Sequence, residues 1–492
     1  MLLLGIDIGT SSIKVSVVDA DTKQVVVATQ FPETERTIRS LQPGWAEQSP
    51  LQWWEDVKQA IAKANATKKY DPKNIRSIGI AYQMHGLVCI DKNKNVLRDS
   101  IIWCDSRAVS IGNKAFEQIG AANCLSHLLN SPGNFTASKL AWVKQYEPEI
   151  FAKIDTILLP GDYIAMQLTG ERTTTISSLS EGIFWDFKNN QLSEEVLNYF
   201  GFDHSIIPAI KDTFSEHGKL LATVADELGL SPGIPIAYKA GDQPNNALSL
   251  NVLHPGEVAA TAGTSGVIYG VSDQLTSDKQ SRINSFAHVN HTASINSIGV
   301  LLCINGTGIL NSWVKKMTGA ASYQQMNDAA KKIQPGSEGL QIFPFGNGAE
   351  RMLNNVAAGS SFQHINFNIH GPAHIFRAAQ EGIAFAFRYG LDIMRENGMH
   401  PSIIKAGKAN MFLSDVFTEA FVNATNTPVE LYNCDGAVGA AIGGGIGAKI
   451  FSEKEAFAGN NLLQLVEPTN DNPYDELYEK WKDQLNTLLQ TI

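Results

Sequence analysis

The segment Asp7-Ile8-Gly9-Thr10-Ser11 sets a carboxylate at the end of an apolar run and follows it with small residues rich in donors. A nucleoside triphosphate needs both parts: hydroxyl and backbone donors for its phosphate oxygens, and an acid for the Mg²⁺ that accompanies them. The alternative is a plain hairpin in which Asp7 and Thr10 serve only the turn backbone. A second turn of the same kind, Gly263-Thr264-Ser265-Gly266, also lies between two apolar runs. Two such turns favour a clamp that grips phosphates from both sides. Gly241-Asp242 follows the strand-like run 234–240. There Asp242 could accept a proton from a hydroxyl attacking a γ-phosphate, or simply cap the next helix.

Other residues suit a polyol. Tyr82-Gln83-Met84-His85-Gly86 offers Gln83 and His85 to hydroxyl groups and Met84 to a carbon face, although a histidine in a turn is often structural. Trp103 and Asp105 make a further aromatic and polar pair, with core packing as the alternative for the tryptophan. Gly407-Lys408-Ala409-Asn410 could lie against an adenine or ribose, glycine permitting close approach. Otherwise it is a strand-to-helix turn with Asn410 as the N-cap. Phe343-Pro344-Phe345-Gly346 with Glu350-Arg351 reads as a structural loop closed by an ion pair between neighbours.

These residues need elements to hold them. Residues 2–8, 13–18 and 24–29 read as three strands, with a polar turn at 19–23. Ser49, Pro50 and Gln52 then open a helix in the manner of a capping box. Strands at 75–81 and 87–91 flank the His85 turn, and strand 101–103 leads to Asp105. In the second half, strands around 234–240, 257–262 and 267–269 carry Asp242 and the second Gly-Thr-Ser turn. The repeat of strand, turn and strand predicts two similar lobes with a cleft between them. Beyond it come helices at 375–395 and 411–423, and strands at 403–406 and 429–432. Residues 435–448 form a helix dense in glycine and alanine, and 472–489 a polar amphipathic helix.

Composition narrows the class. The 492 residues include 39 Lys plus Arg against 49 Asp plus Glu, a formal charge of −10 that argues against nucleic acid and anionic membrane as partners. A hydrophobic fraction of 43% with 18% charged residues is that of a globular chain. Five cysteines without a CxxC suggest neither a disulfide framework nor a zinc site. The chain shows no signal-like start and no apolar run near the ~20 residues of a membrane span, so a cytoplasmic location is expected.

Taken in order, Asp7-x-Gly9-Thr10-Ser11, Gln83-Met84-His85-Gly86, Trp103-x-Asp105-x-Arg107, Gly241-Asp242 and Gly263-Thr264-Ser265-Gly266 resemble the FGGY carbohydrate kinases. Leu159-Pro160-Gly161-Asp162-Tyr163 and Leu168-Thr169-Gly170-Glu171 are similar to a further segment of that family. The Met-His-Gly turn resembles its xylulokinase branch. The resemblance implies an α/β fold of two actin-like (ribonuclease H-like) lobes, with the active site in the cleft. Expected boundaries are 1–247 for a sugar-binding lobe, 248–450 for an ATP-binding lobe and 451–492 for a helical tail on the second lobe. It further implies ATP-dependent phosphorylation of a pentulose, Mg²⁺ as cofactor and a homodimer as the common assembly. Asp242 would be the base and Asp7 the Mg²⁺ ligand. Gln83, Met84, His85, Trp103, Asp105, Gln243 and Asn246 would meet the sugar. Thr10, Ser11, Lys14, Gly263, Thr264, Ser265, Gly407, Lys408 and Asn410 would meet the nucleotide. Two positions depart from the family pattern: Lys408-Ala409-Asn410 interrupts a usual glycine-rich turn, and Thr175 stands where many members carry Asp.

Overall fold

The computed structural model describes residues 1–459 and 462–492. The first hairpin forms as the alternation predicts, with Leu2–Ile8 pairing antiparallel to Ile13–Asp19 and Asp7 opposite Lys14. Val25–Phe31 extends it on one side, and Ile75–Tyr82 and Ile236–Gly241 add in parallel on the other. The result is a five-stranded sheet in which the earliest strand is central.

The second lobe repeats this arrangement. Val258–Ala262 is central, with Gly266–Ser272 and then Ile298–Ile304 antiparallel on one side. Ile404–Gly407 and Val429–Tyr432 lie parallel on the other. Two edge strands, Asn284–Ala287 and Leu462–Val466, bring this sheet to seven. The echo of one short turn in the sequence thus marks the repeat of a whole sheet topology, and the architecture is the expected pair of actin-like lobes.

The chain just before the expected boundary at 450 packs across both lobes. The helix Gly436–Gly447 belongs by sequence to the second lobe, yet it lies across strands Leu2–Ile8, Ile75–Tyr82 and Ile236–Gly241 of the first. Small residues make this contact backbone to backbone. A Cβ on Gly5 would run into Ala437 O, and one on Gly79 into Ala440 O. Phe451, Ala456 and Phe457 continue over Leu3, Val18 and Ala20, also in the first lobe. Only then does the chain return to the second lobe. There Trp481, on the helix Tyr474–Leu489, is buried against Phe343 and Phe385 and donates Nε1–H to Ile342 O at 3.1 Å.

Two local expectations also change. Ser49 occupies the N-cap of Pro50–Ala66, but its side chain makes no cap bond, and Gln52 instead donates to Asp56 Oδ1 at 2.9 Å. Asn410 opens a short 3₁₀ turn, Asn410–Leu413, and the α-helix begins only at Asp415, capped by Ser414. Among the described residues, no helix is long and apolar enough to cross a membrane.

Gly79→Ala should be destabilising out of proportion to one methyl group, because the obstacle is helix backbone and not a side chain that can turn away. Overpacking of this kind costs about 1–3 kcal/mol or more. Urea unfolding of this variant beside Gly371→Ala, whose added methyl meets open space, measures the difference. Equal stabilities would show that the helix can lift off the sheet freely.

Candidate active site

The two Gly-Thr-Ser turns are held in different ways. In the first, Thr10 is tightly held: its hydroxyl donates to Gln83 Oε1 at 3.2 Å and accepts from Trp103 Nε1 at 3.0 Å. Its carbonyl accepts from Gln48 Nε2 at 2.7 Å, and Gln48 Oε1 accepts from Gln83 Nε2 at 2.9 Å. A hydroxyl has one hydrogen to give, and here Gln83 takes it. The Thr10 hydroxyl is therefore not free to donate to a ligand. Gln83 is buried and spent on Thr10 and Gln48, so it braces the phosphate turn and does not face a sugar as expected. Trp103 is 51% exposed, which removes the core-packing alternative.

Asp7 lies at the strand end against Gly436, the first residue of the glycine-rich helix, where a Cβ would collide with its carboxylate. Burial lifts its pKa to about 6, with Lys14 lowering it and Asp435 raising it. Asp242 begins the helix Asp242–Ser249, and the cap position belongs to Gly241. The acid is therefore not an N-cap. Burial, then the charge of Asp7, push its pKa up to about 7, against hydrogen bonds from Gln243. Asn245 donates to Gly436 O at 2.8 Å, tying the two helix starts together. Asn246 donates to Thr261 Oγ1 at 2.9 Å, across to the second lobe.

Carboxylate oxygens at the mouth of a phosphate cleft suit Mg²⁺, which takes one or two such ligands beside waters and phosphate oxygens. Among the described residues no group of three or more His, Cys, Asp or Glu side chains could cage a metal by itself. That donor set fits an ion that arrives with a nucleotide, with Asp7 to hold it.

The second turn is rigid for a different reason. The N–H groups of Gly308 and Ile309, at the start of helix Gly308–Thr318, donate to Gly263 O and Thr264 O at 2.9 and 3.1 Å. Thr264 and Ser265 remain accessible, and Asn410 Nδ2 lies against Gly263. Gly407 packs on Cys434, where a Cβ would crowd the thiol. Lys408 turns away, donating to Gln464 on the edge strand at 3.0 Å.

In the Met-His-Gly turn, Met84 is buried against Gly241, under the start of the Asp242 helix. His85 has a left-handed φ of 63°, and this strained turn is held from three sides. Its N–H donates to Glu181 Oε2 at 2.7 Å, its carbonyl accepts from the buried Lys139 at 2.8 Å, and Nδ1 faces Glu181 O at 3.0 Å. Burial, followed by the charge of Lys139, drives the ring pKa down to about 3, so His85 is neutral.

The structure withdraws Asp105 from this group. It is fully buried, both oxygens accept from Arg107, and Oδ2 also takes Ala46 N–H at 2.6 Å. Arg107 in turn reaches Glu47 at 2.8 Å and stacks 3.8 Å over Trp45. Asp105 is thus an anchor of the fold.

Two site residues escaped the sequence reading. Glu181 ends the helix Ile176–Glu181 and has no motif around it; only the folded chain brings it beneath His85. Thr175 caps that helix, accepting from Ser178 N–H at 3.0 Å, a role that Asp and Thr both perform. Arg351 is the other. The expected Glu350–Arg351 pair does not form: buried Glu350 accepts Asn305 N–H at 3.0 Å, and Arg351 turns toward Asn284.

Profiles of the N-terminal domain of the FGGY family of carbohydrate kinases match residues 2–249, and those of its C-terminal domain match residues 258–448. The chain belongs to the FGGY family. This FGGY kinase is 28% identical over 471 residues to a xylulose kinase of Escherichia coli, covering 94% of this chain and 92% of that one. It is 27% identical to a xylulose kinase of Bacillus subtilis, covering 100% and 99% of the two chains. The crystal structure of a xylulose kinase from Rhodospirillum rubrum superposes with a TM-score of 0.87 at 25% identity, covering 99% of each chain. The cleft described above is accordingly that of a carbohydrate kinase, whose family brings together a sugar and ATP.

The raised pKa of Asp242 carries a stability consequence. In the unfolded chain it ionises near the usual ~3.9, whereas the folded protein keeps the proton to about 7. Stability from this group is therefore full below pH ~4 and lost as pH rises to about 7. In protein free of nucleotide and metal, Asp242→Asn should melt above the parent at pH 8, the gap closing toward pH 4. A gap that stays constant across this range, measured by thermal unfolding, contradicts the assigned burial of the charge.

Proposed function

We propose that this kinase phosphorylates a pentulose, D-xylulose being best supported, at its terminal hydroxyl with ATP. The observation that carries the reading is Asp242: an acid at a helix start, not spent as its cap, poised between the His85 turn and the phosphate turns. The names of the relatives support the choice of sugar.

In this mechanism Asp242 accepts the proton of the attacking hydroxyl as its oxygen bonds to the γ-phosphorus and the bond to the β-phosphate oxygen breaks, releasing ADP. A base with a pKa near working pH is matched to that transfer. Asp7 would hold the Mg²⁺ that arrives with ATP, which when bound neutralises phosphate charge. Backbone N–H groups of the Thr10–Ser11 turn and the Thr264–Ser265 turn face the phosphates from opposite lobes, while Gly407 and Asn410 flank the nucleoside. Positioning supplies most of the acceleration, because little covalent chemistry falls to the protein.

Asp242→Asn should retain sugar binding and lower kcat by about 10²–10⁴. Calorimetric titration with D-xylulose and ADP-release kinetics check the two halves. A variant that keeps more than roughly a tenth of kcat would move the base elsewhere. ADP release across a panel of ketoses, polyols and aldonates tests the sugar, and turnover fastest with an aldonate or hexulose would replace xylulose.

A further inference from the structure

Arg351 enters the sugar side of the cleft from the second lobe, at the start of the one-turn helix Arg351–Leu353. Its Nη1 donates to Asn284 Oδ1 at 2.6 Å. Among the described residues, no carboxylate lies within ion-pair distance of its guanidinium, although most of the chain's buried or half-buried arginines have one. A guanidinium carries five N–H donors and no acceptor. The group lies 6.0 Å from the centroid of the Phe135 ring, which also packs edge-on against the His85 ring at 4.8 Å. Phe286, from the same edge strand as Asn284, closes the cluster 5.3 Å from His85.

His85 supplies the opposite character. Nδ1 faces the carbonyl of Glu181, which can only accept, so Nδ1 bears the proton and Nε2 is left as an acceptor. The same aromatic cluster therefore carries a donor-only group from one lobe and an acceptor from the other. Two adjacent hydroxyls match this cluster poorly. A hydroxyl oxygen that accepts from Arg351 still has its own hydrogen to place, and the guanidinium offers no acceptor for it. A carbonyl oxygen has no hydrogen to place, and a hydroxyl on the neighbouring carbon can donate to Nε2.

We infer that Arg351 is a specificity-determining residue that reads the carbonyl of an open-chain ketose, while His85 takes the hydrogen of the adjoining hydroxyl. The assignment rests on the sugar-kinase reading and adds how a ketose is told from its reduced polyol. It also makes the sugar site a joint product of both lobes.

The test is calorimetric affinity of the whole protein for D-xylulose, xylitol and xylonate, in the parent, Arg351→Met and Arg351→Lys. The parent should prefer the ketose to the polyol. Arg351→Met should weaken ketose binding by about tenfold to a hundredfold, the range for a hydrogen bond to a charged group, and leave xylitol little changed. Arg351→Lys, which keeps the charge without the planar fork, should fall between them. Affinity for an ATP analogue, unchanged in both variants, controls for folding. Equal losses for ketose and polyol would make Arg351 structural and overturn the inference. Tightest parent binding to xylonate, lost in Arg351→Met, would assign the residue to a carboxylate and overturn its ketose role. A parent that binds none of the three would overturn the sugar-kinase reading itself, and this inference with it.

Discussion

The cleft exists because a helix rich in glycine can lie on the first sheet at the distance of touching backbones. Gly5 and Gly79 on the strands leave room for Ala437 and Ala440 on the helix, and close approach multiplies weak dispersion contacts across the whole face. The helix gives up intrinsic stability for this, since each glycine costs about 1 kcal/mol relative to alanine. It persists because the sheet holds it. Its seating brings its start against Asp7, and Asn245 ties that start to the helix of Asp242. Two acids that repel each other are thus fixed close together and buried, which raises the proton affinity of Asp242.

A second set of buried polar contacts shapes the His85 turn by the same logic. A left-handed turn at His85 is unfavourable by itself and survives because Glu181 and Lys139 satisfy its backbone. Burial then keeps the imidazole neutral and the Glu181 carbonyl fixes its tautomer. The floor of this region is already a lobe-to-lobe seam. Asn130 both donates to and accepts from the backbone of Ser285, at 2.6 and 3.0 Å, and Ser180 takes the Ala287 N–H at 2.9 Å.

The sequence exposed those features that depend on residue type along a strand. The hairpin at Leu2–Asp19, both phosphate turns and the strand leading to Asp242 follow from alternation and small polar residues, and so does the sheet repeat. Features set by three-dimensional proximity stayed hidden. Asp105 looked like a sugar ligand because nothing local says that Arg107 and Ala46 will saturate it. Gln83 looked free because its partners, Thr10 and Gln48, are distant in the chain. Glu350 and Arg351 looked like a pair, whereas the chain passes from extended backbone at Glu350 into a one-turn helix at Arg351 and the two side chains find separate partners, Asn305 and Asn284. The glycine-rich helix was legible as a tightly packed helix, but its partner sheet was not.

That helix also bears on how the chain acquires its structure during synthesis. The first sheet needs Ile236–Gly241 to complete its strands and Gly436–Gly447 to cover one face. A ribosome adding about 5–20 residues per second therefore leaves that face bare for tens of seconds after the strands are available. Ala81, Tyr238 and Ala240, all buried in the finished protein, line the waiting surface together with Leu3. The first lobe is the earlier to be made, yet one face of it is covered only after most of the second lobe has been synthesised.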